Sequence, residues 1–220
     1  MTTSPSFLKS SVGRKLLVGL TGVFLCLFLA FHLTVNLFLF RGDRGELFNT
    51  YAEFLATYPL LRPVEIILFL LFVLHGVVAM WLWIRNRSAR PTSYAIRRGN
   101  EVSTLQSRTT FITGIVVLVF LIIHVNTFFV QSRFFASGHS PTMFERVQTA
   151  FSHPAYALFY EIALVFLAYH LRHGFESAFQ TYGLRTGKYQ RIIEAVAVVF
   201  WLCIPLGFAL MPLYFYFRVH

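Results

Sequence analysis

Charged residues are scarce in this 220-residue sequence, and acidic ones are the scarcest. Asp, Glu, Lys and Arg make up 13% of the chain, and only 9 residues are acidic against 19 basic ones. Soluble domains carry about 25% charged residues. With 56% hydrophobic residues, among them 26 Phe, the chain is too apolar for intrinsic disorder, which requires low hydrophobicity. The composition therefore indicates an integral membrane protein.

Cysteine is nearly absent as well. The two cysteines, Cys26 and Cys203, lie in apolar runs and are too few for a disulfide scaffold. The net charge of +10 comes from basic residues that flank apolar runs and form no stripe on a polar helix. We interpret this charge as a signal of membrane topology, and we expect no nucleic-acid partner.

Five segments are long and apolar enough to cross a bilayer, which requires about 20 residues each. They cover residues 16–40, 63–84, 109–130, 154–178 and 192–217. Pro205 and Pro212 are expected to kink or fray the fifth segment. The first segment is too long for a cleavable signal peptide, and polar residues interrupt its far end. The sequence predicts an all-α fold, a single transmembrane bundle of five helices over residues 1–220.

Basic residues are distributed unequally between the segments that connect the spans. The N-terminal tail and the links after spans two and four hold 13 of them, and the other side holds six. Because Lys and Arg collect in the cytoplasm, this bias places the N-terminus inside and the C-terminus outside. The outer links, residues 41–62 and 132–153, have aromatic and aliphatic residues three to four apart, which predicts short amphipathic helices at the interface.

Each of the first four spans contains a histidine near or beyond its middle. The fourth span also contains His173, one turn after His170, which we do not assign as a ligand. A lone histidine in a span is often a hydrogen-bonding residue between helices, but an ionisable residue there is costly, and four in consecutive spans are hard to assign to packing. At about 1.5 Å per residue, His32 and His124 fall in an outer layer. His75 and His170 fall in an inner layer.

Two imidazoles on different helices at one depth can bind both faces of a haem iron. The layers therefore predict two b-type haems, one above the other, held by His32 with His124 and by His75 with His170. No CxxCH motif is present, so no thioether bonds are expected. Four basic residues near the inner ends of the spans could pair with haem propionates, although topology alone also explains them. They are Arg14, Lys15, Arg108 and Arg172.

These histidines lie in stretches that resemble a known family. SVGRKLLVGLTGVFLCLFLAFHLTVNL (residues 11–37) resembles the first span of the membrane-anchor cytochrome b subunit of succinate dehydrogenases and fumarate reductases, of the single-chain, five-helix, two-haem kind. Three more stretches resemble that family's second, third and fourth helices: HGVVAMWLWIRNRSARPTSY (75–94), SRTTFITGIVVLVFLIIHV (107–125) and HLRHGFESAFQTYGL (170–184). The resemblance implies haem ligands at His32, His75, His124 and His170, in the pairing that depth predicts.

The resemblance also implies a function. The anchor would hold a flavoprotein subunit and an iron–sulfur subunit on the cytoplasmic face of the bacterial inner membrane. Electrons would pass between succinate/fumarate chemistry in those subunits and a membrane quinone, typically menaquinone, as in respiratory complex II of the tricarboxylic acid cycle. The chain would be an essential subunit without dehydrogenase chemistry of its own, and the heterotrimer could form a higher oligomer.

A quinone site needs a group that handles protons, for which an outer carboxylate is suited. A relative in the resembled family carries such a glutamate in a place comparable to Glu53, which is our first candidate, with Glu65 second. Some relatives also place a glutamate two residues before the fourth ligand. Here that position is Ala168, and Glu161 lies too far along the helix to substitute for it.

Two other functions remain open from the residues. One is a two-haem cytochrome b anchor of another respiratory dehydrogenase or of a hydrogenase, which would share the paired histidines. The other is a transporter without haem that uses intramembrane histidines to move protons. A reduced-minus-oxidised spectrum separates the transporter from the two cytochromes.

Overall fold

A computed structural model describes residues 10–88, 105–138, 140–184 and 187–219, and the regular structure in these ranges is helical. For residues 105–109 and 219 it describes the backbone only. Five long helices and two short ones follow in chain order. They are α1 (Ser11–Asn36, closed by the 3₁₀ turn Leu37–Phe40), α2 (Glu46–Thr57), α3 (Leu61–Ser88), α4 (Leu105–His124, continued by the π-helical turn Val125–Val130 and by Gln131–Phe134), α5 (Met143–Ser152), α6 (Pro154–Thr181) and α7 (Gln190–Val198, the π-helical turn Val199–Cys203 and Ile204–Val219).

The predicted number of five spans is confirmed, since α1, α3, α4, α6 and α7 are each long and apolar enough to cross a membrane. The helix of the fifth span runs through both of its prolines. The π-helical turn Val199–Cys203 ends two residues before Pro205, and such turns accommodate irregular hydrogen bonding within a helix. Pro212 lies inside the last helical segment and is fully buried. Packing therefore holds the helix together where local propensity alone would break it.

The long helices alternate in direction, which gives the bundle two ends. The proximal end holds Ser11, the start of α1, and Thr181, the end of α6. There the Tyr182 hydroxyl donates a 2.9 Å hydrogen bond to the carbonyl oxygen of Leu16, and burial raises the pKa of Tyr182. The Ser10 hydroxyl caps α1 by accepting a 2.9 Å hydrogen bond from the Gly13 amide.

The distal end carries both short helices, α2 and α5, which pack against each other. The Phe144 amide donates a 2.9 Å hydrogen bond to Asn49 Oδ1. Gly45 begins α2 with φ of +84° beside the Phe144 ring, so the backbone conformation and the lack of space both require glycine. A capping box between Thr142 and Glu145 begins α5, and hydrogen bonds from Thr142 lower the pKa of Glu145.

Helix α6 is the centre of the bundle and packs against α1, α4 and α7. It buries seven residues: Ala157, Tyr160, Ala163, Leu164, Leu167, Phe175 and Ala178. Helix α3 is peripheral and buries none. Its large apolar side chains are exposed, as in Leu70 and Val73 at 62% each. An apolar exposed surface of this extent is suited to the hydrocarbon core of a bilayer.

Candidate functional site

Four histidines face one another in two pairs inside the bundle. His32 of α1 and His124 of α4 have ring centroids 5.8 Å apart and ring planes at 89°. His75 of α3 and His170 of α6 have centroids 6.3 Å apart and planes at 78°. The structure thus brings together the pairs expected from the sequence. The first is called the distal pair below, and the second the proximal pair.

Each pair has the spacing of two imidazoles that share one metal ion. Metal–imidazole bonds are about 2 Å long, so rings on opposite sides of one metal have centroids roughly 6 Å apart. The observed 5.8 and 6.3 Å lie on either side of this value. Within the described residues, no group of three or more His, Cys, Asp or Glu could hold a metal ion. The pairs therefore do not resemble a four-ligand zinc site, and they fit the two axial ligands of a haem.

The distal pair is surrounded by aromatic rings. Four phenylalanines have centroids within 5.6 Å of an imidazole centroid: Phe28, Phe120, Phe128 and Phe208. His124 is also the last α-helical residue before the π-helical turn Val125–Val130. Turns of this kind recur at functional sites. The surroundings make the distal pair an apolar, water-poor site.

A hydrogen-bonded chain leads away from the distal pair. The Nδ1 atom of His124 lies 2.9 Å from the Tyr160 hydroxyl, which lies 3.1 Å from the Tyr156 hydroxyl. A partner at Nδ1 fixes the orientation of the ring and leaves Nε2 free for a metal. The Asn36 amide donates a 2.8 Å hydrogen bond to the His32 carbonyl oxygen, and its nitrogen lies 3.4 Å from His32 Nδ1.

The proximal pair has different partners. The Thr21 hydroxyl lies 3.0 Å from the carbonyl oxygens of Leu17 and Val18 and 3.1 Å from His75 Nδ1. Because the hydroxyl donates to the backbone, it accepts from the imidazole N–H, and Nε2 of His75 remains free. His170 Nδ1 is buried and has no hydrogen-bond partner among the described residues. A buried polar atom without a partner is uncommon and points to a missing neighbour.

Two glycines lie against the proximal pair. A Cβ atom on Gly22 of α1 would lie 3.3 Å from His75 Cε1, and one on Gly114 of α4 would lie 3.5 Å from His170 Cε1. Gly22 follows the buried Thr21, and Gly114 follows the buried Thr113. Each glycine lies ten residues before the histidine that its helix contributes to the distal pair. This repeated Thr-Gly spacing is the sequence signal that could have identified Thr21. No comparable signal points to Tyr160.

Two of the predicted basic residues lie near aromatic rings at the proximal end. The Arg14 guanidinium carbon is 3.4 Å from the Trp81 ring centroid, and Arg14 Nη1 is buried without a hydrogen-bond partner in the described part of the chain. The Arg172 guanidinium carbon is 5.0 Å from the Trp201 centroid, and Arg172 Nε is 4.0 Å from Glu176 Oε1. Arg14 therefore has a free donor for an anion.

The structure describes the side chain of only one of the other two predicted basic residues. Lys15 is exposed. The side chain of Arg108 lies outside the described residues, so its predicted role stays a prediction.

The predicted acidic residues are spread over the distal half. Glu53 of α2 is exposed, and Glu65 forms a 3.1 Å ion pair with Arg62. Glu161 of α6 has a buried Oε1 without a hydrogen-bond partner among the described residues. The structure does not bring Glu53 or Glu65 into hydrogen-bonding contact with the distal pair. Their roles stay predictions.

The chain is similar to known proteins over much of its length. The family model described as "Succinate dehydrogenase/Fumarate reductase transmembrane subunit" matches residues 86–206, just over half of the chain. The succinate dehydrogenase cytochrome b558 subunit of Bacillus subtilis (strain 168) is 30% identical over 175 residues, which cover 79% of this chain and 81% of the relative. No solved structure matches at a significant level.

Proposed function

The chain belongs to the succinate dehydrogenase/fumarate reductase transmembrane subunit family, and from this premise we propose that it passes electrons between an iron–sulfur subunit and a membrane quinone through two bis-histidine haems b. The proposal is carried by the two histidine pairs, because the rings of each pair have the spacing of two axial ligands. The relative's name, a cytochrome b, supports haem of the b type.

Within this function, each of the site residues would have a defined role. His32 and His124 would hold the distal haem, and His75 and His170 the proximal haem. Each haem, when bound, supplies a one-electron couple of its iron. Tyr160 and Thr21 would hold the imidazole protons at Nδ1, the arrangement that keeps Nε2 unprotonated for the metal. The Phe rings around the distal pair would exclude water.

The propionates of the proximal haem need cationic partners. Arg14 is our first candidate because its buried Nη1 has no protein partner among the described residues. Arg172, Lys15 and Arg108 are the other candidates. A guanidinium binds a carboxylate through parallel hydrogen bonds, and stacking on Trp81 would hold that of Arg14 in place.

The proximal end would face the cytoplasm and carry the flavoprotein and iron–sulfur subunits of the heterotrimer, in the inner membrane of a bacterium. The count of 13 basic residues against six supports this orientation. Part of the count lies outside the described residues, namely Lys9, Arg90, Arg97, Arg98 and Arg185. The proximal haem would then be nearer to the iron–sulfur subunit, and the distal haem nearer to the quinone.

Quinone reduction consumes protons as well as electrons, and we propose Glu53 as the group that handles them at the distal end, with Glu65 second. Menaquinone is the quinone proposed, as in the resembled family. Glu53→Gln is expected to block quinone turnover and leave succinate oxidation by an artificial acceptor intact. Normal quinone turnover in this variant would reject the role of Glu53.

The function is tested on the purified complex. Succinate should reduce a b-type spectrum, and a flavoprotein and an iron–sulfur protein should copurify with the chain. Reduction by formate or hydrogen, with a different partner subunit, would instead identify an anchor of another respiratory dehydrogenase or a hydrogenase. A colourless preparation would reject haem altogether and favour a proton-linked transporter.

A further inference from the structure

A cavity of about 600 Å³, wide open at the surface of the bundle, lies at the distal end, between α4 and the junction of α5 with α6. Apolar side chains such as Ile123 and Phe159 form most of its wall. Polar groups come from Thr127, His153 and Tyr156. Small-molecule sites have this size and this combination of apolar walls with a few polar groups.

The cavity is connected to the distal pair by the two tyrosines. Tyr156 lines the cavity, its hydroxyl lies 3.1 Å from that of Tyr160, and Tyr160 lies 2.9 Å from His124 Nδ1. Tyr156 and Tyr160 are four residues apart on α6, so they share one face of the helix. Two hydrogen bonds therefore separate the cavity from a proposed haem ligand.

The direction of these hydrogen bonds follows from the role of His124. A neutral imidazole that binds a metal through Nε2 carries its proton on Nδ1, and it donates that proton to the Tyr160 oxygen. Tyr160 then donates to Tyr156. Within the described residues, the Tyr156 hydroxyl has no other hydrogen-bond partner. Its proton is free to be donated to a molecule in the cavity.

The chemistry of the cavity fits a flat apolar ring that carries carbonyl oxygens. The walls would bury the ring, and Tyr156 would donate to an oxygen. The exposed imidazole of His153 offers a second polar contact at the rim. Assuming the function proposed above, we propose that this cavity binds the quinone ring, that Tyr156 hydrogen-bonds to it, and that Tyr160 is a positioning residue that couples the occupied cavity to His124.

A second groove at the distal end provides a matched control. It has about 480 Å³ and is lined by Phe40, Leu210 and Tyr214, among others. The Tyr214 hydroxyl accepts a hydrogen bond from Arg218, and in the described part of the chain it bonds to no histidine. The two grooves thus offer similar apolar walls and a tyrosine, but among the described residues only the first is connected to the histidine pair.

The test uses the purified complex with its haems and 2,3-dimethyl-1,4-naphthoquinone as the probe, and it measures the Kd by equilibrium binding. Ala155→Trp, which fills the first cavity, is expected to abolish saturable binding, whereas Leu210→Trp in the second groove leaves it unchanged. Tyr156→Phe should weaken binding about three- to tenfold, the effect of one hydrogen bond, and Tyr214→Phe should not.

A second readout tests the coupling through Tyr160. Saturating probe should shift the midpoint potential of the distal haem in the parent complex, and Tyr160→Phe should remove this shift while the probe still binds. Binding that survives Ala155→Trp but is lost in Leu210→Trp would overturn the site and leave the proposed function standing. A complex without succinate-reducible haem would overturn the proposed function and this inference with it.

Discussion

The distal and proximal histidine pairs have nearly the same spacing but very different surroundings. The distal pair lies among phenylalanine rings, and a chain of tyrosine hydroxyls begins at His124. The proximal pair lies against glycines and a threonine, and His170 Nδ1 is a buried atom without a partner in the described structure. Because hydrogen bonds to the ligands and local polarity tune a metal centre, one ligand set repeated twice can give two haems with different potentials.

The largest effect is expected from removing ligands. His32→Ala or His124→Ala should eliminate the distal haem and leave the proximal one, and His75→Ala or His170→Ala should do the reverse. Each variant removes one of the two histidines that are proposed to hold its haem. Redox titration of each purified variant shows which component is missing. If His32→Ala and His75→Ala removed the same component, the two-pair arrangement would be wrong.

The next effect concerns the glycines that lie against the proximal pair. Gly22→Leu places a side chain where even a Cβ would lie 3.3 Å from His75 Cε1, so the proximal haem should be lost or strongly depleted and the distal one retained. Gly76→Leu is the control on α3, since a Cβ there meets nothing within 4 Å. Haem content per chain and the redox titration curve are measured for both variants. Equal losses of both haems in both variants would contradict the close approach at Gly22.

A smaller effect is expected at the threonine that holds His75. A hydrogen bond accepted from the ligand's N–H makes the imidazole more basic, which favours the oxidised metal. Thr21→Val should therefore raise the midpoint potential of the proximal haem by roughly 20–60 mV, the equivalent of one hydrogen bond for a one-electron couple. Thr113→Val is the matched control for Thr21→Val, because the Thr113 hydroxyl donates its hydrogen bond to the Thr110 carbonyl oxygen. Equal shifts in the two variants would reject the role of Thr21.

The smallest effect on a haem potential is expected from removing a positive charge near the proximal pair. Arg14→Gln removes a cation, and since reduction adds negative charge, the potential of the proximal haem should fall by about 10–40 mV, as for a partly exposed ion pair. Lys15→Gln, an exposed neighbour, should leave it unchanged. The same titration measures both variants, and a shift confined to the distal haem would place the propionates elsewhere.

Much of this arrangement could be predicted from the sequence because depth along a helix follows from residue count. Counting residues within each span was enough to sort His32 with His124 and His75 with His170. The length of the apolar runs predicts five spans, and the three- to four-residue spacing of apolar residues predicts the short helices in the outer links.

Contacts between distant residues could not be predicted in this way. Thr21 meets His75 across 54 positions, and Tyr160 meets His124 across 36; both contacts depend on how helices rotate against one another. The π-helical turn before Pro205 and the full burial of Pro212 likewise depend on packing against neighbouring helices. Glu53 was chosen by likeness to a relative, and it lies exposed on α2.

The central claim is that each histidine pair holds one haem b. Haem content per chain in the purified complex, combined with electron paramagnetic resonance of the oxidised form, tests it most directly. The account predicts two haems b per chain and two distinct low-spin signals of bis-imidazole iron, with different midpoint potentials. One haem per chain, or a signal that requires an axial ligand other than histidine, would contradict it.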